Sequence, residues 1–179
     1  MFGQKLNIGD LAPEFSLPGV DGKTYSLESF AEKQVLVVVF SCNHCPYVKA
    51  YEDRMIKLQA DYADKGVALV AICSNDAAKY PLDSFDNMVK RAREKGYNFP
   101  YLRDETQEIA RAYGAGFTPE FFVFDRERRL AYHGRMDDNV DDPENVTRHY
   151  LREAIDALLA GRPVEQAEVF PVGCTIKWK

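Results

Sequence analysis

The sequence predicts an α/β fold: a three-layer α/β/α sandwich with a central mixed β-sheet and an N-terminal hairpin extension. Three features carry this reading. Val35–Phe40 (VLVVVF) and Val67–Cys73 (VALVAIC) are continuous apolar runs, the pattern of strands covered on both faces. Between them, Val48, Tyr51, Met55, Leu58 and Tyr62 recur at helical spacing over residues 47–62. This strand–helix–strand unit closes by a right-handed crossover. Downstream, residues 121–124 and 130–133 flank a polar stretch and predict an antiparallel hairpin, followed by a last helix over 146–159.

The remaining elements follow in order. Turn signals at Gly9-Asp10 and Ala12-Pro13 precede two short strands over 15–17 and 23–26, with Pro18-Gly19 and Asp21-Gly22 between them. Residues 83–95 read as a helix with Phe85, Met88, Val89 and Ala92 on one side and Gly96 at its C-terminal cap. Residues 99–102 form a short edge segment, and 105–113 a helix ended by Gly114. Gly161 and Pro163 stop the last helix, leaving a tail whose Ile176 and Trp178 predict docking on the body. One domain is expected over 1–179, with 1–30 as extension and hairpin and 164–179 as tail.

Composition bounds the function. The charge of -5 offers no basic patch, which argues against nucleic acid and against an anionic membrane surface as partners. The opening MFGQKLNIGD has no apolar signal region, and the longest apolar run, 35–40, is too short to span a bilayer. A cytoplasmic location is therefore expected. In such a reducing compartment a close cysteine pair is catalytic or metal-binding rather than a staple. The four cysteines are Cys42, Cys45, Cys73 and Cys174, and only the first two are close in sequence.

Cys42-Asn43-His44-Cys45 stands between a strand and a helix, the signature of a redox dithiol. Two intervening residues let the sulfurs join in a low-strain disulfide. The unpaired N–H groups of the helix start favour a thiolate. Cys42 is expected to be the exposed attacking thiolate, and Cys45, one turn in, the thiol that clears the mixed disulfide. His44 either acidifies Cys42 when protonated or is a solvated loop residue. Zinc would need four ligands, and Cys73, Cys174, His133 and His149 are scattered, so neither a metal nor another cofactor is expected.

This unit, with Thr118-Pro119 directly before the strand at 121–124, resembles thioredoxin. The resemblance implies a cis Pro119 facing the cysteine pair, with the Thr118 backbone guiding the substrate. The run Gly9-Asp10-Leu11-Ala12-Pro13-Glu14-Phe15-Ser16-Leu17-Pro18 is similar to the start of the redoxin branch, the alkyl hydroperoxide reductase/thiol-specific antioxidant family of peroxiredoxins. That likeness extends to about Arg162. The Cys42-to-Tyr47 motif and the ending Gly173-Cys174-Thr175-Ile176-Lys177-Trp178 resemble a peroxiredoxin-like subgroup with a CxxC motif. Where peroxiredoxins carry T-x-x-C, Cys42 takes the threonine's place and Cys45 that of the peroxide-reducing cysteine. Ser41 stands where thioredoxin has tryptophan. Arg135 is similar to the arginine aimed at the peroxidatic thiolate; otherwise it is a surface cation pairing with Asp137 or Asp138.

Two further residues read either way. Cys174 is a third thiol able to resolve a sulfenic acid if the tail docks near the helix start, or else a packed small hydrophobe. Glu120 beside Pro119 is a nearby proton acceptor or a solvated acid. The expected function is a thiol–disulfide oxidoreductase. The alternatives are a thiol peroxidase with antioxidant activity, and a non-catalytic redox-sensing or zinc-holding module. The expected partners are a protein or small-molecule disulfide, or a hydroperoxide, and a cellular dithiol reductant. The chain is expected to be a monomer or homodimer.

Overall fold

The computed structural model describes residues 5–179; residues 1–4, the start of the predicted extension, lie outside the described residues. β1 (Ser16–Pro18) and β2 (Thr24–Ser26) pair as the N-terminal hairpin. β3 (Val35–Phe40), α1 (Pro46–Tyr62) and β4 (Val67–Cys73) form the predicted crossover unit, with β3 and β4 parallel. α2 (Phe85–Lys95), β5 (Tyr101–Arg103), α3 (Glu108–Tyr113) and the two-residue β6 (Phe117–Thr118) follow. β7 (Glu120–Phe124) and β8 (Leu130–Gly134) make the antiparallel hairpin, and α4 (Tyr150–Leu159) leads into the tail.

The main sheet runs β5-β4-β3-β7-β8, mixed, with β3 at its centre. Successive β3 side chains point to opposite faces. Val35, Val37 and Val39 enter a core with Tyr51, Met55 and Leu58 of α1, Met88 of α2 and Ile155 of α4. Leu36, Val38 and Phe40 enter the opposite core with Tyr113 of α3, Phe15 and Phe30 of the N-terminal segment, and Ile176 of the tail. A two-sided core explains why the strand reads as an unbroken apolar run rather than an alternating one.

Three helices begin later than the sequence predicts. In α2, Ser84 is the N-cap and its hydroxyl accepts the Asn87 N–H, while Pro81–Asp83 turns as a short 3-10 helix. In α3, Gln107 adopts a left-handed φ of 68°, which keeps the start at Glu108. In α4 the shift is larger. Asp142 accepts the Glu144 N–H and starts a 3-10 turn over Pro143–Asn145, after which Val146 is extended. Asp142 and Glu144 therefore belong to that turn, not to the start of α4.

The tail docks, as its apolar residues predict, but it does so by making a strand. β9 (Cys174–Thr175) pairs antiparallel with β6, setting Cys174 opposite Thr118. Among the described residues no helix is long and apolar enough to cross a membrane.

Candidate active site

β3 delivers the chain to the site. The Ser41 N–H continues the ladder to the Ile72 carbonyl at 2.8 Å, and the backbone then leaves the sheet through Cys42, Asn43 and His44. Cys45 is the extended N-cap of α1, and Pro46 occupies the first helical position, where a missing N–H costs nothing. The loop is pinned from behind. The Asn43 N–H donates to Asp83 Oδ1 at 2.7 Å, Asn43 Nδ2 to the Leu82 carbonyl at 2.9 Å, and the Tyr101 hydroxyl to Asn43 Oδ1 at 2.8 Å.

Asp83 is fully buried and organises this side. Besides Asn43, it accepts from Asn75 Nδ2 at 2.9 Å, and His44 Nδ1 lies 2.7 Å from its Oδ2. The His44 ring is stacked on Tyr80, with centroids 5.9 Å apart. His44 is thus turned to Asp83 and Tyr80 as well as lying near Cys42. Cys42, His44 and Asp83 bring ligand atoms within 4.8 Å of one another, three donors of the kinds zinc accepts.

The opposite wall is the Thr118–Pro119 peptide, which is cis, as the resemblance implies. The Thr118 carbonyl accepts from the Cys45 thiol at 3.4 Å, and Thr118 Oγ1 lies 3.6 Å from Cys42 Sγ. The third wall is β9. A Cβ on Gly173 would sit 2.2 Å from the Thr118 carbonyl oxygen, so only glycine lets the tail come this close.

These walls treat the two sulfurs differently. Cys45 is held well below the ordinary thiol range, first by the facing Cys42 thiol, then against burial by the Cys174 thiol and the N–H groups of Val48 and Cys174. Cys42 is pushed far up, first by Cys45, then by burial and by the Asp83 charge, with Thr118 pulling weakly the other way. Burial, then the contact with Cys45, raises Cys174. Cys73, fully buried as a strand-end packing residue, is pushed up to about 12 by burial and Asp83.

The expectation of an exposed Cys42 thiolate is therefore corrected twice. Cys42 and Cys45 are both 0% exposed, and the anion is favoured on Cys45. The sequence reading placed charge by position in the loop, whereas the contact with Cys45, then burial and then the Asp83 charge hold the Cys42 proton. Arg135 also departs from expectation. Its guanidinium lies over the Tyr150 ring, Asp137 is taken by Arg54, and neither sulfur receives a hydrogen bond from it. Glu120 is not solvated: it is buried and accepts from Gly116 and Phe117 N–H, with His133 Nε2 2.5 Å away. Cys174, by contrast, is brought to the pair.

Sequence reasoning missed Asp83 and Arg103. Arg103 is buried and donates to the carbonyls of Asn75 and Asp83 while reaching Cys73 Sγ at 3.5 Å, which ties β5 to the loop behind Cys42. Neither has a local motif; the signal was a charged residue next to an apolar strand or a turn.

Two thiols at the mouth of a helix, faced by a cis-proline and mounted on this sheet, are the architecture of the thioredoxin-like redox proteins. The description "Redoxin" matches residues 7–150, and the chain belongs to that family. The crystal structure of an uncharacterized conserved protein from Geobacillus kaustophilus is 46% identical, with a TM-score of 0.93, covering 100% of this chain and 96% of that one. The thiol-disulfide oxidoreductase ResA of Bacillus thuringiensis (strain Al Hakam) is 30% identical over 130 residues, 71% of this chain and 69% of the relative. Peroxidoxin BcpB from Mycobacterium tuberculosis shares the fold, with a TM-score of 0.64 at 19% identity, covering 87% of this chain and 95% of that one.

Proposed function

We propose that the protein is a thiol–disulfide oxidoreductase in which Cys45 attacks and Cys42 resolves. The observation that carries this reading is the depressed Cys45 thiol at the N-cap of α1, faced by a protonated Cys42. The Cys45 thiolate attacks a substrate disulfide, one substrate sulfur joins Cys45, and the other leaves as a thiolate. The Cys45 sulfur, the first of the causes that held the Cys42 proton, then no longer does so. Cys42, helped by the Thr118 hydroxyl 3.6 Å away, loses its proton and attacks Cys45 Sγ. The second substrate sulfur leaves, and a Cys42–Cys45 disulfide remains. A cellular dithiol returns the two electrons. Both sulfurs are buried, so turnover includes a step in which β9 or the Ser74-to-Asp83 loop moves aside.

A second reading rests on the same anion. A thiolate at Cys45, the position of the peroxide-reducing cysteine in the resembling family, suits attack on a hydroperoxide. That attack gives an alcohol or water and a Cys45 sulfenic acid, which a neighbouring thiol converts to a disulfide with loss of water. Steady-state turnover with insulin disulfide and with hydrogen peroxide separates the two. The oxidoreductase reading expects disulfide reduction to require both cysteines, with Cys42→Ser stopping after a trapped mixed disulfide. Peroxide turnover that outpaces disulfide turnover and survives Cys42→Ser would replace it with the peroxidase reading.

A further inference from the structure

The dithiol chemistry above leaves Cys174 unused and one problem unsolved. Both sulfurs of a Cys42–Cys45 disulfide come from buried positions, so an external dithiol reaches them directly only while the surrounding segments stand aside. Cys174 is the one cysteine of the four that is partly exposed. It stands on β9 opposite Thr118, whose carbonyl accepts from Cys45 and whose hydroxyl reaches Cys42. Its thiol faces Cys45.

The tail is held to keep it there. Gly173 lies against the Thr118–Pro119 peptide with no room for a side chain. The Ile176 N–H donates to the Gly116 carbonyl at 2.8 Å. The Lys177 N–H donates to Asn75 Oδ1 at 2.9 Å, and the Lys177 carbonyl accepts from the Asp76 N–H at 2.8 Å and Gln107 Nε2 at 2.9 Å. Asn75 also donates to Asp83, so the anchor of the tail and the anchor of the Cys42 loop share a residue.

Resting on the dithiol reading, we infer that Cys174 is the port through which reducing electrons enter, by way of a Cys45–Cys174 disulfide. In the oxidised protein the Cys174 thiolate attacks Cys45 Sγ. The Cys45–Cys174 bond forms, the Cys42–Cys45 bond breaks, and Cys42 leaves with the proton that Cys174 gave up. No net oxidation occurs, so no further oxidant is needed. The external dithiol then attacks the partly exposed Cys174 Sγ, and Cys45 departs as the thiolate. The second thiol of the reductant clears the mixed disulfide on Cys174, which restores three reduced cysteines and leaves the reductant as a disulfide.

The leaving group of the reductant's step favours this route. Exchange is faster when the departing thiol has the lower pKa, and Cys45 is the depressed one. The contact and charge of Cys45 are also among the causes that hold the Cys174 proton, and both vanish once Cys45 is in a disulfide. Burial still holds the Cys174 proton, but less firmly in the oxidised protein than in the reduced one.

The test uses the full chain. Lys33 and Lys49 bound one tryptic peptide that holds both Cys42 and Cys45, while Cys73 and Cys174 fall in two other peptides, so a bond to Cys174 gives a cross-link of its own mass. Protein oxidised with one equivalent of glutathione disulfide, acid-quenched and blocked, is expected to show that cross-link in the wild type and, more strongly, in Cys42→Ser. Pre-oxidised Cys174→Ser is expected to hold its Cys42–Cys45 disulfide but to be reduced by dithiothreitol on the order of tenfold more slowly than the wild type. A Cys42–Cys45 disulfide that forms without any cross-link, together with unchanged reduction of Cys174→Ser, overturns this inference alone. Failure of any disulfide to form at Cys45 overturns it together with the dithiol reading.

Discussion

Cys42 and Cys45 are three residues apart, equally buried, and both touch Thr118, yet their surroundings oppose each other. Cys45 is met by two thiols and the N–H groups of Val48 and Cys174, with the Thr118 carbonyl, which accepts from its protonated form, 3.4 Å away. Cys42 is met by the Asp83 carboxylate and by the sulfur of Cys45. The CxxC spacing brings a pair together without saying which member is charged. The contact between the two sulfurs comes first in that choice, and segments far away in sequence, the Asp83 loop on one side and the tail on the other, add to it.

The comparison breaks most completely at Cys45. Cys45→Ser is expected to abolish turnover with either substrate class and to remove the thiolate, measured by thiolate absorbance in the ultraviolet. Cys45 is also a stability element with a definite sign. Its pKa is lower in the folded chain than in the unfolded one, so the unfolded state binds more protons between the two values and stability rises with pH there. The stability contributed by the thiolate is full above the ordinary thiol pKa of about 8.5 and is lost as pH falls through the depressed value. Denaturant unfolding of wild type and Cys45→Ser at several pH values should therefore show a gap that closes toward acid.

Gly173→Ala is the next largest disturbance. A methyl group 2.2 Å from the Thr118 carbonyl oxygen forces β9 away, at a cost of about 1–3 kcal/mol. The expected signs are faster alkylation of Cys45 by iodoacetamide and a lower unfolding midpoint. Asp83→Asn sharpens the comparison from the other side. It removes the charge that opposes ionisation of Cys42, so the pH-dependent alkylation profiles of Cys42 and Cys45 should move toward each other, read peptide by peptide. The smallest effect on the sulfurs is expected from Glu120→Ala. It leaves the Gly116 and Phe117 N–H groups unpaired and costs about 1–3 kcal/mol of stability, while the alkylation profile of Cys45 stays put.

What was legible in the sequence follows the same division. β3, β4, α1 and the CxxC motif were readable because their signals are local: apolar runs, helical spacing, and a strand meeting a helix. The cis Pro119 came from resemblance and stands where the resemblance put it. The pairing of β6 with β9 was not readable, since two residues a side carry no periodicity and the partners are far apart in sequence, Phe117 with Thr175 and Thr118 with Cys174. Asp83 read only as the first residue of a helix over 83–95; the packed loop turns it inward against Asn43, Asn75 and His44. Arg135 fits a family pattern in sequence but spends its guanidinium on Tyr150.

The most direct measurement is an ultraviolet thiolate titration of the reduced wild type beside Cys42→Ser and Cys45→Ser. The account predicts a step on the acid side of the ordinary thiol range in the wild type, moved upward but still present in Cys42→Ser and missing in Cys45→Ser. A step that survives Cys45→Ser and disappears in Cys42→Ser would contradict it.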